Sequence, residues 1–184
     1  RAVVTGGASG IGRAIACELA SRGARVIISD VNDAGLAETL AKLGSACSSF
    51  HCDVSDHAQV ERLAAFTTET LGGCDILFAN AGVIAAGRYT KMTVAEVDWI
   101  LGANVRGVWS TTSVFARMME QQPAGGRICF TGSEHSLGFQ HANAAVYTAS
   151  KHAVLGLAEV LRAEAPENLS VSIFCPGLVG TALG

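Results

Sequence analysis

Short apolar runs alternating with longer stretches of helical periodicity constrain this chain more than any other feature. The runs read as strands at residues 2–4, 25–29 (RVIIS), 48–52, 75–79 (DILFA), 127–131 (RICFT) and 171–175 (VSIFC), with 48–52 the weakest. Helices are predicted over 11–21, 34–43, 56–71, 93–121 and 146–163, although Gly102 and Gly107 lower the propensity of the long fourth one. The apolar runs are continuous rather than alternating, as strands buried on both faces should be. Strand, helix, strand, helix at this spacing predicts βαβ units and a parallel sheet covered by helices on both faces. The expected fold class is therefore α/β, a doubly wound parallel sheet in three αβα layers. All 184 residues belong to one domain, since no linker, repeat or low-complexity tract separates the parts.

Composition narrows the function classes. Hydrophobic residues make up 49% of the chain, enough for a core without disulfides or a structural metal. Lys+Arg 13 against Asp+Glu 16 leaves a net charge of −3, without the basic excess that a nucleic-acid or anionic-membrane surface needs. The apolar runs are strand-sized, so no membrane span is expected. None of the cysteines at 17, 47, 52, 74, 129 and 175 forms a CxxC pair, and Cys74, Cys129 and Cys175 lie in or beside apolar runs. They read as reduced, mostly buried thiols, with no metal site. No signal peptide opens the chain, and an intracellular, cytoplasmic protein is the expectation.

The first strand runs straight into Thr5-Gly6-Gly7-Ala8-Ser9-Gly10-Ile11-Gly12, a GxxxGxG turn opening a helix. Without Cβ atoms such a turn lets the backbone approach a pyrophosphate, whose charge the helix N-terminus stabilises. Alone the motif is weak, because methyltransferases and purely structural turns carry similar ones. The second strand, however, ends on Asp30, where a carboxylate can accept both ribose hydroxyls of adenosine and repel a 2′-phosphate. Together they predict a Rossmann-type dinucleotide site that prefers NAD to NADP. Asp30 could instead simply cap the next helix, and Arg13 serve the diphosphate or solvent.

Tyr147 and Lys151 stand four apart and so project from one helix face, beyond a strand that ends in Thr131-Gly132-Ser133. A phenol ordinarily ionises near pH 10, and a fixed cation beside it is expected to lower that value into the range useful for acid–base work.

With these residues in place the sequence resembles the short-chain dehydrogenase/reductase family over nearly its whole length. The resemblance comprises the Thr5–Gly12 turn, Asp53 after the third strand, Asn80-Ala81-Gly82 after the fourth, Asn104 in the long helix, Ser133, Tyr147, Lys151, and Pro176-Gly177 leading to Thr181. It implies an oxidoreductase that moves a hydride between nicotinamide and a secondary alcohol or ketone. Tyr147 would be the general acid/base and Lys151 its electrostatic partner, also bonding the nicotinamide ribose. Ser133 would donate to the substrate oxygen. Asn104 would hold a water linking Lys151 to solvent, or merely bend its helix. Gly6, Ser9, Gly10, Ile11 and Gly12 would cradle the diphosphate, Asp53 and Val54 would meet the adenine, and Asn80, Ala81 and Gly82 would border its ribose. Pro176, Gly177, Val179 and Thr181 would receive the nicotinamide end.

The sequence departs from the family pattern at two places. Ala79 replaces the first of a usual asparagine pair, and Glu134, His135 and Ser136 follow Ser133 where small residues are usual. His135 is expected to point at the substrate pocket and make a polar contact there, while Ser136 is a weaker alternative to Ser133. Residues 85–89 and 137–143 should line part of the pocket. In this family the lobe that covers the substrate follows the Pro-Gly turn, so the 1–184 domain reads as lacking that segment. The faces carrying Val97, Ile100, Leu101, Asn104, Val108 and Thr111, and Val154, Leu157, Ala158, Leu161 and Arg162, pack on the sheet or, as the resemblance implies, pair copies into a homotetramer or homodimer. Alternatives are an NADPH-dependent 3-oxoacyl thioester reductase, disfavoured by Asp30, and a non-catalytic dinucleotide-binding regulator, disfavoured by the intact Ser133, Tyr147 and Lys151. A methyltransferase has no use for that trio.

Overall fold

The computed structural model describes residues 1–139 and 141–180. Among these, β1 (Ala2–Thr5), β2 (Val26–Asp30), β3 (Ser48–His51), β4 (Ile76–Ala79), β5 (Gly126–Thr131) and β6 (Leu169–Phe174) form a parallel sheet in the order β3-β2-β1-β4-β5-β6. The predicted doubly wound αβα architecture is what forms. Adjacent residues of one strand serve opposite faces, which explains the unbroken apolar runs. Val3, Ile27, Leu77, Ile128 and Phe130 face a layer containing Leu63, Phe115, Met119, Val154 and Ala158. Their neighbours Val4, Ile28 and Val26 face Ala16, Leu36 and Leu43. The first layer comes from α3 (His57–Leu71), α5 (Val108–Glu120) and α6 (Ala145–Glu164), the second from α1 (Gly10–Ser21) and α2 (Asp33–Leu43).

From β1 the chain winds outward through β2 and β3, then returns to place β4 on the other side of β1. Connections therefore diverge above the C-terminal ends of β1 and β4, and a crevice opens there, the usual ligand position in such sheets. Side chains stitch this seam. Thr5 Oγ1 accepts hydrogen bonds from the backbone N–H groups of Asn80 and Ala81, both at 3.1 Å. Asn80 Nδ2 donates to the Thr5 carbonyl at 3.0 Å, while its Oδ1 accepts from Thr131 Oγ1 at 3.2 Å. One amide thus ties the ends of β1, β4 and β5.

The single helix expected over 93–121 is not uniform. It consists of α4 (Val94–Leu101), a π-helical stretch at Gly102–Gly107, and α5. The two glycines that weaken the helix bracket the π stretch. A Cβ on Gly107 would stand 2.7 Å from Val54 Cγ2, so close packing against the loop after β3 requires glycine there. The wider turn carries Asn104 fully inside the protein, and π-bulges of this kind recur at functional sites.

Phe115 is completely buried between α5 and the sheet. Phe115→Ala is expected to cost about 3–5 kcal/mol, mostly as an unfilled cavity. Urea unfolding followed by circular dichroism should show a lower midpoint with an unchanged slope.

Candidate active site

A cleft of about 660 Å³ runs along the C-terminal ends of the strands, from the glycine turn to the start of α6. Gly6, Ser9, Gly10, Ile11, Gly12 and Asp30 line one end, and Ser133, His135, Tyr147 and Lys151 the other, with Asn80, Gly82, Pro176, Gly177 and Val179 between. A smaller cavity of about 230 Å³ continues past Asp30, lined by Asp53, Val54, Ala81, Trp99 and Arg106 among others. The structure thus gathers nearly every residue singled out from the sequence around two joined spaces. Thr181 lies outside the described residues.

At the glycine turn, Gly6 adopts φ +68 and Gly10 φ +51, left-handed conformations that glycine reaches without strain. A Cβ on Gly12 would overlap the Gly6 carbonyl oxygen, so the helix can start this close to the turn only with glycine at 12. Ser9 occupies the N-cap of α1 but its side chain caps nothing, and the first turn holds no acidic residue. The leading N–H groups of α1 consequently face the cleft with their partial positive charge available to an anion. Asp30 is fastened by N–H donors from Ala8 and Asn32, both at 3.1 Å. Arg13 lines neither cavity. Its guanidinium is tied to the Ala8 carbonyl, Thr39 and Glu38 instead. The Asp53 carboxylate accepts from the N–H and hydroxyl of Ser55 at 2.9 and 2.7 Å, which shapes the wall of the smaller cavity.

At the other end, Lys151 is 6% exposed and its Nζ donates to the Thr131 carbonyl at 3.0 Å. Burial pushes its pKa down to about 8. Its Nζ stands 5.7 Å from the centre of the Tyr147 ring. Here the structure corrects the sequence reading, which had Lys151 lowering the Tyr147 pKa. Burial raises it, Ser133 beside it offsets part of that rise, and the Glu134 charge adds to it. The ammonium is directed at Thr131 and is itself desolvated, so burial dominates the phenol.

Asn104 holds the loop after β4. Its Oδ1 accepts from Val83 N–H at 2.7 Å, and its Nδ2 donates to the Val83 carbonyl at 2.9 Å and to Ser150 Oγ at 3.0 Å. Ser150 Oγ in turn donates to the Tyr147 carbonyl at 2.7 Å. Both Nδ2 hydrogens and one acceptor site of Oδ1 are thereby spent on scaffolding. Ser136 Oγ donates to the Lys151 carbonyl at 2.7 Å and accepts from Ser133 N–H at 3.2 Å, which makes it a strut. His135 is buried, with Nδ1 2.6 Å from Thr148 Oγ1 and its ring edge-on to Tyr147 at 5.2 Å. Of the loop residues expected around the pocket, Ala86, His141, Ala142 and Asn143 line it. Thr5, Val83, Thr131 and Ser150 were given no role of their own from the sequence, because each acts through backbone or hydroxyl bonds that spacing does not reveal.

The sequence profile described as short chain dehydrogenase matches residues 1–184. This chain belongs to the short-chain dehydrogenase/reductase family. Oxidoreductase UcpA of Salmonella typhimurium is 34% identical over 99% of the chain, which spans 70% of that protein. The (-)-isopiperitenol/(-)-carveol dehydrogenase of Mentha piperita is 39% identical over 85% of the chain, spanning 60% of its own length. A short-chain dehydrogenase/reductase from Burkholderia phymatum, solved in complex with NAD, superposes with a TM-score of 0.94 at 36% identity. It covers 99% of this chain, and the chain spans 66% of that protein's length. A 3-ketoacyl-(acyl-carrier-protein) reductase from Brucella melitensis, complexed with NADH, has a TM-score of 0.94 at 30% identity, covering 99% of this chain and 77% of its own.

The folded short-chain dehydrogenase releases the Lys151 proton near pH 8, against an ordinary value of 10.5. Between those values the unfolded chain holds more protons, so this site's contribution to stability rises with pH across that window. Below it, at neutral pH, the buried ammonium costs at most about 3 kcal/mol. Lys151→Met should therefore raise stability at pH 7 by about 1–2 kcal/mol, once the Thr131 carbonyl's lost partner is deducted. Denaturant unfolding at pH 7 reads this directly, and a less stable variant contradicts it.

Proposed function

We propose that this short-chain dehydrogenase/reductase is an NAD-dependent oxidoreductase that interconverts a secondary alcohol and a ketone, with Tyr147 as general acid/base. The observation that carries the reading is the continuity of one cleft, from a glycine turn under an open helix N-terminus to a phenol, a hydroxyl and an ammonium. The cradle fits a dinucleotide, since Gly12 tolerates no Cβ and Asp30 offers a fixed carboxylate where a ribose would end. Gly6, Ser9, Gly10, Ile11 and Gly12 would hold the diphosphate, and Asp53, Val54, Ala81 and Gly82 the adenosine. Lys151, Pro176, Gly177 and Val179 would receive the nicotinamide end. The bound nicotinamide supplies the hydride acceptor or donor.

The protein's own part is positioning and proton transfer. Ser133 donates to the substrate oxygen and Tyr147 passes the proton to or from it. Lys151 orients the cofactor ribose and feeds the phenol by way of water at Asn104. His135 adds a polar contact to the substrate. The Asp30 charge disfavours a 2′-phosphate, whereas Arg106, bordering the same smaller cavity, would favour one. The Brucella reductase lends support to a second reading, a 3-oxoacyl thioester reductase, and its NADH means that Asp30 does not set that reading aside.

Exposed Val94, Trp99, Leu101 and Trp109 on α4 and α5, with Val160 on α6, support assembly into a homodimer or homotetramer through these helices. Of the faces proposed from sequence, Ile100, Asn104, Val108, Thr111, Val154 and Ala158 are buried within the chain. The unpaired cysteines fit a reducing compartment such as the cytoplasm. No helix among the described residues is long and apolar enough to cross a membrane.

Absorbance at 340 nm, with NAD and NADP side by side on a panel of secondary alcohols and a 3-oxoacyl thioester, tests the assignment. NAD should be preferred, and Tyr147→Phe should lower kcat by about 10²–10⁴. Alcohol oxidation should rise with pH, because burial holds the phenol protonated and the base form gains population only as pH climbs toward its raised pKa. Full turnover in Tyr147→Phe would overturn the mechanism. His135→Ala kinetics indistinguishable from wild type on the preferred substrate would remove the substrate contact.

A further inference from the structure

Beyond the substrate contact proposed for His135, the turn that follows Ser133 carries side chains that hydride transfer does not use. Glu134, His135 and His141 each offer one ligand atom, and these atoms all lie within 4.8 Å of one another. Glu134 and His135 sit on the 3₁₀ turn Glu134–Leu137, which is closed by a capping box between Ser133 and Ser136 and by Gly138 at φ 92. Glu134 N–H donates to the Pro176 carbonyl at 2.9 Å, so the turn is pinned to the strand edge.

His135 is the best-oriented of the three. Its Nδ1 is bonded to Thr148 Oγ1 at 2.6 Å, which leaves Nε2 as the ring nitrogen available to a ligand. The His141 ring centre stands 4.9 Å from that of His135, and His141 Nε2 stands 3.0 Å from Glu134 Oε1. Both imidazoles and the carboxylate border the main cleft. Two imidazoles and one carboxylate, with a fourth position open to solvent, is a donor set that suits zinc rather than calcium or magnesium, which take oxygen ligands. Zinc–nitrogen bonds of about 2.0–2.1 Å require the three donors to draw together. Exposed His141 is free to make that movement.

We propose that Glu134, His135 and His141 form a site for a divalent transition-metal cation of the zinc class at the mouth of the cleft. A bound cation stands beside Tyr147, whose ring His135 touches edge-on, and it occupies space on the substrate's approach. Metal binding does not rest on the proposed reaction, whereas inhibition by the metal does.

Isothermal titration with Zn²⁺ should show one site per chain. His141→Ala and Glu134→Gln should each weaken it at least about tenfold, with melting curves showing both variants folded. Co²⁺ in place of Zn²⁺ should give visible d–d absorption without a thiolate charge-transfer band. An unchanged affinity in both variants, a thiolate band that moves the metal to the cysteines, or no stoichiometric binding overturns the site. Zn²⁺ inhibition that is relieved by a chelator and lost in His141→Ala supports its placement beside the substrate.

Discussion

A lysine ammonium that water barely reaches organises the C-terminal edge of this sheet. A desolvated charge is tolerated only when it is bonded and held, and the elements around Lys151 do the holding. The Thr131 carbonyl at the end of β5 accepts from it. Ser136, on the turn that β5 leads into, donates to the Lys151 carbonyl. One residue before it, Ser150 links α6 to Asn104, and Asn104 clamps Val83 by both backbone groups. Strand end, 3₁₀ turn, helix and loop are thus fixed around the stretch of α6 that carries the cation. The geometry of Ser133 and Tyr147 follows from that framework.

The π stretch belongs to the same network. A regular α-helix over 94–120 would carry residue 104 in a different direction, and on the observed backbone a Cβ at 107 would run into Val54. Two glycines and one wide turn let the helix pack on the loop after β3 while delivering an amide to the Val83 backbone. Propensity lost at Gly102 and Gly107 is offset by three hydrogen bonds made inside the protein, where an unmade bond is expensive.

The fold was readable because each βαβ unit writes its period in the sequence, and Val3 beside Val4 or Ile27 beside Ile28 announces a strand buried on both faces. That the glycine turn and the Tyr147/Lys151 pair would meet in one cleft was readable for the same reason, since both stand at the C-terminal ends of strands that the pattern places. Two things were not. The π stretch looked like a weak point in one helix, because only its packing against Val54 shows what the glycines are for. The sign of the Tyr147 shift was misjudged, because spacing places Lys151 on the same face but says nothing of how deeply both are buried or that the ammonium is already committed to Thr131.

That sign has a consequence for proton traffic. In water the two groups ionise at similar pH, and burial drives them apart, the ammonium down to about 8 and the phenol up. The polypeptide by itself therefore favours the protonated phenol at Tyr147. Ionising the phenol needs positive charge close to it, whereas Lys151 stands 5.7 Å from the ring centre with its Nζ on the Thr131 carbonyl. Glu134 works against it. A cationic partner for Glu134 would weaken that opposition, and the His141 ring stands 3.0 Å from its carboxylate. The turn after Ser133 thereby bears on the acidity of Tyr147 through charge alone, apart from any contact with substrate.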